Sequence, residues 1–287
     1  MKITIIGVPF NGDGTPPEVE NPAQSLRDEG VISVLQNKGH HLTDFGDLHI
    51  PMFSNKKDPI TNVLNFDAWR EVSLSLSRTL GDELAQDSFP IVLGGDCAIL
   101  MGILDAFNVM NQPLNLFFLD GHADFHTLDT STTGEPADLE LAALTGHLSK
   151  EIVYMTGRGP LLHEENVVVY GVGELDSIER SNIMLVNRKS ILKDGIEPTF
   201  RRSLGSFQNP DLPLWLHFDV DVLDKEIMPA IQYPVEGGLS YNEIQELLTL
   251  LKERTQLIGM SITCYHPKLD YDKKGAKTLL LLFKEIF

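Results

Sequence analysis

Two short runs, about a hundred residues apart, concentrate five carboxylates and an imidazole. The first is Asp120-Gly121-His122-Ala123-Asp124. The second is Asp219-Val220-Asp221, with Asp224 close behind. Each follows an apolar stretch, Leu114 to Leu119 and Leu214 to Phe218, so each is expected where a buried strand ends. Carboxylates pushed together at strand ends repel one another and lose hydration, and divalent cations are the usual offset. If the first strand continues, its two aspartates and His122 point to one face with a period of two, and Asp219 and Asp221 do the same. Such a set suits Mn²⁺, Mg²⁺ or Zn²⁺. Two ions ~3.5–4 Å apart sharing carboxylates would activate a water. Asp224 is read as structural, holding the turn behind the second run.

The elements that must position these runs are legible as apolar segments. Strands are expected at Ile3–Ile6, Leu42–Phe45, Ile91–Leu93, Asn115–Leu119, Val167–Val172, Ile183–Val186, Trp215–Phe218 and Leu257–Ile262. Most are continuous rather than alternating, as suits strands covered on both faces. Between them lie helical patterns. Asp67 to Gln86 has apolar residues at helical spacing, and Ser240-Tyr241-Asn242-Glu243 is a capping box before the amphipathic run Ile244 to Leu251. This alternation predicts an α/β fold with a mostly parallel sheet and helices on both sides. No linker or repeat divides the chain, so residues 1–287 are read as one domain. Two loops, Asn11 to Asn21 and Phe125 to Pro136, are expected beyond the carboxyl ends of strands, where such sheets place their sites.

Composition narrows the function classes. The net charge of −18, from 41 acidic and 23 basic residues, argues against nucleic-acid binding and suits divalent metals or a cationic substrate. No stretch approaches the roughly 18 uninterrupted apolar residues of a membrane span. The start, Met1-Lys2-Ile3-Thr4-Ile5, leads straight into a strand, and two cysteines exclude a disulfide framework. A cytoplasmic location is expected.

Three segments, in order, resemble the signatures of the arginase/agmatinase (ureohydrolase) family. They are Gly94-Gly95-Asp96-Cys97, Asp120-Gly121-His122-Ala123-Asp124 and His217-Phe218-Asp219-Val220-Asp221-Val222-Leu223-Asp224. Gly7-Val8-Pro9-Phe10 and Glu236-Gly237-Gly238-Leu239-Ser240 are similar to further family segments, so the likeness spans nearly the whole chain. The resemblance implies a three-layer α/β/α fold with a dinuclear manganese site. It implies hydrolysis of a C–N bond in a guanidino, amidino or related compound by a metal-bridged hydroxide, and a homo-oligomer. On that alignment Asp120 and Asp219 would bridge the ions, His122 and Asp221 would bind one, and Asp124 the other. Asp176 matches an aspartate that contacts a substrate amine, and Glu174 shares that expectation.

The chain departs from the family pattern at three places. Cys97 stands at a histidine ligand. It is carried as a ligand that would shift preference toward Zn²⁺ or Fe²⁺, with a weakly held ion or a merely buried cysteine as the alternatives. In Thr132-Thr133-Gly134-Glu135-Pro136-Ala137 the family's proton-shuttling histidine falls on Ala137. His126 is the expected replacement for proton delivery, and Asp124 the ligand that also hydrogen-bonds the nucleophile. Cys264 stands where the family places a guanidinium-binding glutamate. Glu135, His126 and Cys264 are therefore expected at the substrate, and plain arginine or agmatine is disfavoured. The rival expectation is an inactive or weak family member serving as a binding or assembly module. A deacetylase of a related fold is weaker, because the chain lacks the histidine pair such enzymes use.

Overall fold

The computed structural model describes residues 1–173, 178 and 181–287. Glu174 and Asp176 lie outside the described residues. Eight strands form one parallel sheet: β1 (Lys2–Val8), β2 (His41–Asp47), β3 (Phe89–Gly94), β4 (Asn115–Leu119), β5 (Val167–Val172), β6 (Met184–Asn187), β7 (Leu214–Asp219) and β8 (Leu257–Thr263). Their order is β2-β1-β3-β8-β7-β4-β5-β6, and every paired neighbour runs parallel. All eight lie where the apolar runs place them.

Parallel strands demand crossovers, and helices supply them on both faces. One face is covered by α1 (Pro22–Asp28), α2 (Val31–Asn37), α7 (Arg188–Asp194), α8 (Ile196–Leu204), α9 (Tyr241–Arg254) and α10 (Lys274–Ile286). The other is covered by α3 (Phe66–Leu84), α4 (Leu100–Val109), α5 (Glu140–Leu144) and α6 (Lys150–Val153). Two apolar cores result, one per face, and the molecule has the expected three layers. In α3 the buried residues Ala68, Trp69, Val72, Leu76 and Leu80 recur at three to four positions, the stripe that predicted it. The capping box opens α9: Ser240 Oγ accepts from the Glu243 N–H, and Glu243 returns to the Ser240 N–H at 2.8 Å.

The exception to two-sided cover is β2, which lies at the sheet edge and is largely exposed. Its aspartates are held from one side instead. Arg27 of α1 pairs with both Asp44 and Asp47.

The sheet order decides where chemistry can happen. The chain passes from β3 to β4 while leaving room for two later strands, and β8 and β7 fill that gap. Residues at or just beyond the carboxyl ends of β3, β8, β7 and β4 thus stand side by side along one edge. Those residues are Cys97, Cys264, Asp219 and Asp120.

Candidate metal centre

Each aspartate-led segment turns immediately after its strand. The same device recurs three times. Asp96 Oδ1 accepts from the Ala98 N–H at 3.1 Å, Asp120 Oδ1 from the His122 N–H at 2.6 Å, and Asp219 Oδ1 from the Asp221 N–H at 2.8 Å. One carboxylate oxygen thus caps a local turn in place of a lost ladder bond. The second oxygen differs among the three. That of Asp96 accepts from the Gly12 N–H, so Asp96 is spent on backbone. Those of Asp120 and Asp219 face the Cys97 sulfur, at 3.8 and 2.7 Å. One oxygen of Asp120 and of Asp219 thus caps a turn while the other faces the cluster of donor atoms.

The expectation that β4 continues through the first run is corrected. The strand ends at Leu119, and Asp124 has a φ of 48°, a left-handed backbone. His122 and Asp124 converge through a turn rather than through strand periodicity. The second run likewise leaves β7 at Asp219 and enters a 3₁₀ turn, Val220–Val222. Asp224 holds the following turn, accepting from the Glu226 N–H at 2.8 Å, as expected.

The runs lock together. The Gly121 N–H donates to Asp221 Oδ1 at 2.9 Å, and His122 Nδ1 lies 2.8 Å from Asp221 Oδ2. A Cβ at Gly121 would come within 2.9 Å of the Asp221 backbone and carboxylate, so the small residue permits this closeness. Three groups of donor atoms result, each with all its atoms within 4.8 Å: Asp120, His122 and Asp221; Cys97, Asp120, His217 and Asp219; and Cys97, Asp124 and Glu140. All six residues expected as ligands fall in these groups.

Two members, His217 and Glu140, had escaped sequence reasoning. His217 interrupts the apolar strand β7, stacks on Phe118 with ring centroids 4.7 Å apart, and is fully buried. Its tautomer follows from its neighbours. Trp215 Nε1 can only donate, and it does so to Ser261 Oγ at 3.2 Å. Thr263 Oγ1 has one proton and gives it to Asp219 Oδ2 at 3.2 Å, so it accepts from the His217 Nε2–H at 3.4 Å, and Nδ1 then accepts from Ser261 Oγ at 2.9 Å. His217 is thus the middle of a directed chain that steadies Asp219, rather than a free lone pair. Burial pushes its pKa down to about 3, so the ring is neutral.

Glu140 begins α5 inside the apolar sequence Leu139-Glu140-Leu141-Ala142 and is fully buried. A charged residue in such a run was the signal available in the sequence. Burial, then the neighbouring Asp120 and Asp96 charges, raise its pKa well above the usual carboxylate range.

The same electrostatics holds across the centre. Burial first, with mutual repulsion, raises Asp120 and Asp124, and moves Asp219 up to about 7. Burial likewise raises the Cys97 thiol. For Cys264 the contact with Cys97 pulls downward, and burial with the Asp219 and Asp221 charges outweighs it. The two sulfurs are 3.8 Å apart and unbonded. Three buried aspartates, the half-buried Asp124, a thiol, an imidazole and a glutamate with no hydrogen-bond partner make a donor set that fits a pair of divalent cations.

A cavity of about 490 Å³ opens above these donors. The two predicted loops form its walls, bringing Asn11 and Asp13 from one side and His126, Thr132, Thr133 and Glu135 from the other. Cys264, with a φ of 60°, and His266 close the floor beside Cys97. His126 is fixed by its ring, with Nδ1 3.2 Å from Thr130 Oγ1, and by its N–H, which donates to the Asp138 carbonyl. Ala137 lines the cavity and offers no titratable group. Asp13, Glu135 and Asp138 gather at the mouth, and no lysine or arginine is among the described residues lining it. The cavity therefore carries a negative potential.

A parallel sheet with aspartate-led turns on adjacent strand ends and an acidic pocket above them defines a metal-binding α/β protein with its site at the carboxyl edge. The Arginase family model matches residues 1–287. The chain belongs to the arginase family. It is 27% identical over 291 residues to the arginase of Brevibacillus brevis, covering 100% of this chain and 97% of that one. The structure superposes on Bacillus caldovelox arginase with a TM-score of 0.91 at 26% identity, covering 100% of this chain and 98% of the other. Bacillus subtilis formimidoylglutamase shares the fold, with a TM-score of 0.74 at 18% identity, over 99% of this chain and 86% of that one. The family's chemistry is metal-dependent hydrolysis of C–N bonds in guanidino and related small molecules at a dinuclear site, and this chain is an enzyme of that class. Among the described residues, no helix is long and apolar enough to cross a membrane.

Proposed function

We propose that residues 1–287 form a single arginase-like unit that hydrolyses a cationic amidine-, guanidine- or amide-type C–N bond other than that of plain arginine or agmatine. The observation that carries this reading is the convergence of Cys97, Asp120, His122, Asp124, Asp219 and Asp221 beneath an acidic cavity. Asp120 and Asp219 would bridge two ions, His122 and Asp221 would hold one, and Cys97 and Asp124 the other. When bound, the ions supply Lewis acidity, acidifying a water and offsetting charge that develops on the substrate.

The chain's own residues do the rest. The Asp13, Glu135 and Asp138 carboxylates draw a cation into the mouth. Asp124 orients the nucleophile by accepting its proton-bearing side. His126 on the cavity wall delivers a proton to the leaving nitrogen, a task Ala137 cannot perform. Cys264 replaces a charged clamp by a small neutral group, which favours a substrate bulkier or less planar-charged than free guanidinium. Mn²⁺ is the family's ion, and the Cys97 thiolate moves preference toward Zn²⁺ or Fe²⁺. We also assign the chain to the cytoplasm as a homo-oligomer. Unbonded sulfurs only 3.8 Å apart suit a reducing compartment, and the oligomer rests on family likeness.

The test is metal analysis of protein purified without chelator, followed by a panel of guanidino, formimino and amide substrates scored for urea, ammonia and formamide. Two equivalents of metal and turnover of one substrate class are expected. No bound metal, and no rise in melting temperature with Mn²⁺ or Zn²⁺, would sink the dinuclear reading.

A further inference from the structure

Glu140 has no place in the ligand set above, yet its position asks for a cation. Its side chain is wholly buried. Its own amide and the Asp124 carboxyl are close, but neither makes a hydrogen bond of ordinary geometry with it, and both of its oxygens are left without a partner. One oxygen lies within 4.8 Å of both the Cys97 sulfur and an Asp124 oxygen. A buried carboxylate without a partner costs several kcal/mol or more, so a native fold keeps one only where something satisfies it. A bound water would satisfy a neutral acid, but an adjacent thiol and carboxylate are poor company for an anion unless a cation sits among them.

We propose that Glu140 is a further metal ligand, which with Cys97 and Asp124 forms an all-anionic donor set for one of the two ions. This rests on the dinuclear reading above. Its chemical sense lies in the paired change. At this ion an imidazole gives way to a thiolate, and a carboxylate arrives from the first turn of α5, the segment where Ala137 has displaced a histidine. The set of one sulfur and two carboxylates carries three negative charges, offers more donors to one ion, and binds a borderline cation such as Zn²⁺ or Fe²⁺ in preference to Mn²⁺. Loading this ion releases the protons held by the set, so its affinity rises with pH.

The experiment compares the full chain with Glu140→Gln and Glu140→Ala, each titrated with Zn²⁺ after chelator treatment and read by metal equivalents and chelator competition. Melting temperature without metal reports folding. The wild type should hold two equivalents. Both variants should keep one at unchanged affinity and bind the other at least about tenfold more weakly. Without metal, Glu140→Gln should melt close to the wild type, because an amide of the same shape replaces the buried carboxyl. Two equivalents at unchanged affinity in Glu140→Gln would overturn the ligand role and leave the dinuclear reading standing. A wild-type chain that binds no metal would overturn both. If Glu140→Gln melts far below the wild type, Glu140→Asp serves as the second variant. Weakening of one ion alone by about tenfold in that variant supports the role, and unchanged affinity for both ions, or equal loss of both, overturns it.

Discussion

On the proposed reading, Cys97 is the residue on which the identity of the metal turns. Its sulfur lies 2.7 Å from Asp219 Oδ2 and 3.8 Å from both Asp120 Oδ2 and the Cys264 sulfur. A thiol there is protonated in the ion-free centre, because burial and two carboxylates oppose the thiolate. A cation reverses that balance. Cys97→His should therefore raise Mn²⁺ retention relative to Zn²⁺ by at least about tenfold in a competition assay. An unchanged preference would mean that the sulfur is packing rather than a ligand. On the proposed reading the neighbouring Cys264, which lines the cavity, bears on the substrate instead, since a small thiol stands where a planar cation would want a carboxylate.

At the scale of elements, the decisive units are the turns that follow β3, β4 and β7. Each begins with an aspartate that caps the turn and keeps its side chain at the strand end. Glycine makes the first of these turns possible. A Cβ on Gly95 would lie 2.1 Å from the Phe10 carbonyl oxygen, a backbone atom that cannot swing aside. The Gly95 N–H also donates to the Val8 carbonyl, and the Gly95 carbonyl accepts from the Cys264 N–H at 2.7 Å. Gly95→Ala should cost roughly 1–3 kcal/mol of stability, as overpacking does. It should also push Cys97 and Cys264 apart, so the variant should lose bound metal beyond what its melting temperature explains. A variant with normal stability and two bound ions would show that the turn tolerates a side chain.

For the whole molecule, the balance of charge in the centre sets how stability responds to pH. Asp96 and Asp219 ionise near pH 4 in an unfolded chain and are raised to about 7 in the fold. Between those values the folded state holds more protons than the unfolded one, so stability falls as pH rises and is largest on the acid side. Asp120, Asp124 and Glu140 shift in the same direction. His217, lowered to about 3, acts oppositely between pH 3 and 6.5 and is silent above that range. The melting temperature of chelator-treated protein should accordingly decline from about pH 5 to 7. Excess Zn²⁺ should reverse the slope, because ions compete with those same protons. A metal-free melting temperature that holds level or climbs over this interval would mean the carboxyls are already ionised and paired.

The elements and most of the candidate donors were legible in the sequence. Eight apolar runs became eight parallel strands, because a strand buried on both faces can be written only in apolar residues. The capping box at Ser240 and the stripe of α3 depend on contacts within a few residues, so they too were legible. Asp120, His122, Asp124, Asp219 and Asp221 stood out as candidate donors because two short runs gather carboxylates and an imidazole at the ends of apolar strands. What the tertiary structure alone decided was adjacency. The insertion of β8 and β7 between β3 and β4 set Cys97 and Cys264 side by side and brought Asp219 against Asp120. It also gave His217 a fixed proton through Thr263 and Asp219, and turned Glu140 from one acid in an apolar helix into a buried carboxylate beside a thiol. Those outcomes depend on strand order and on atoms more than a hundred residues apart along the chain in the case of Cys97 and Asp219. Local spacing carries no record of such distances, and the strength of a charge in a low-dielectric interior depends on them most of all.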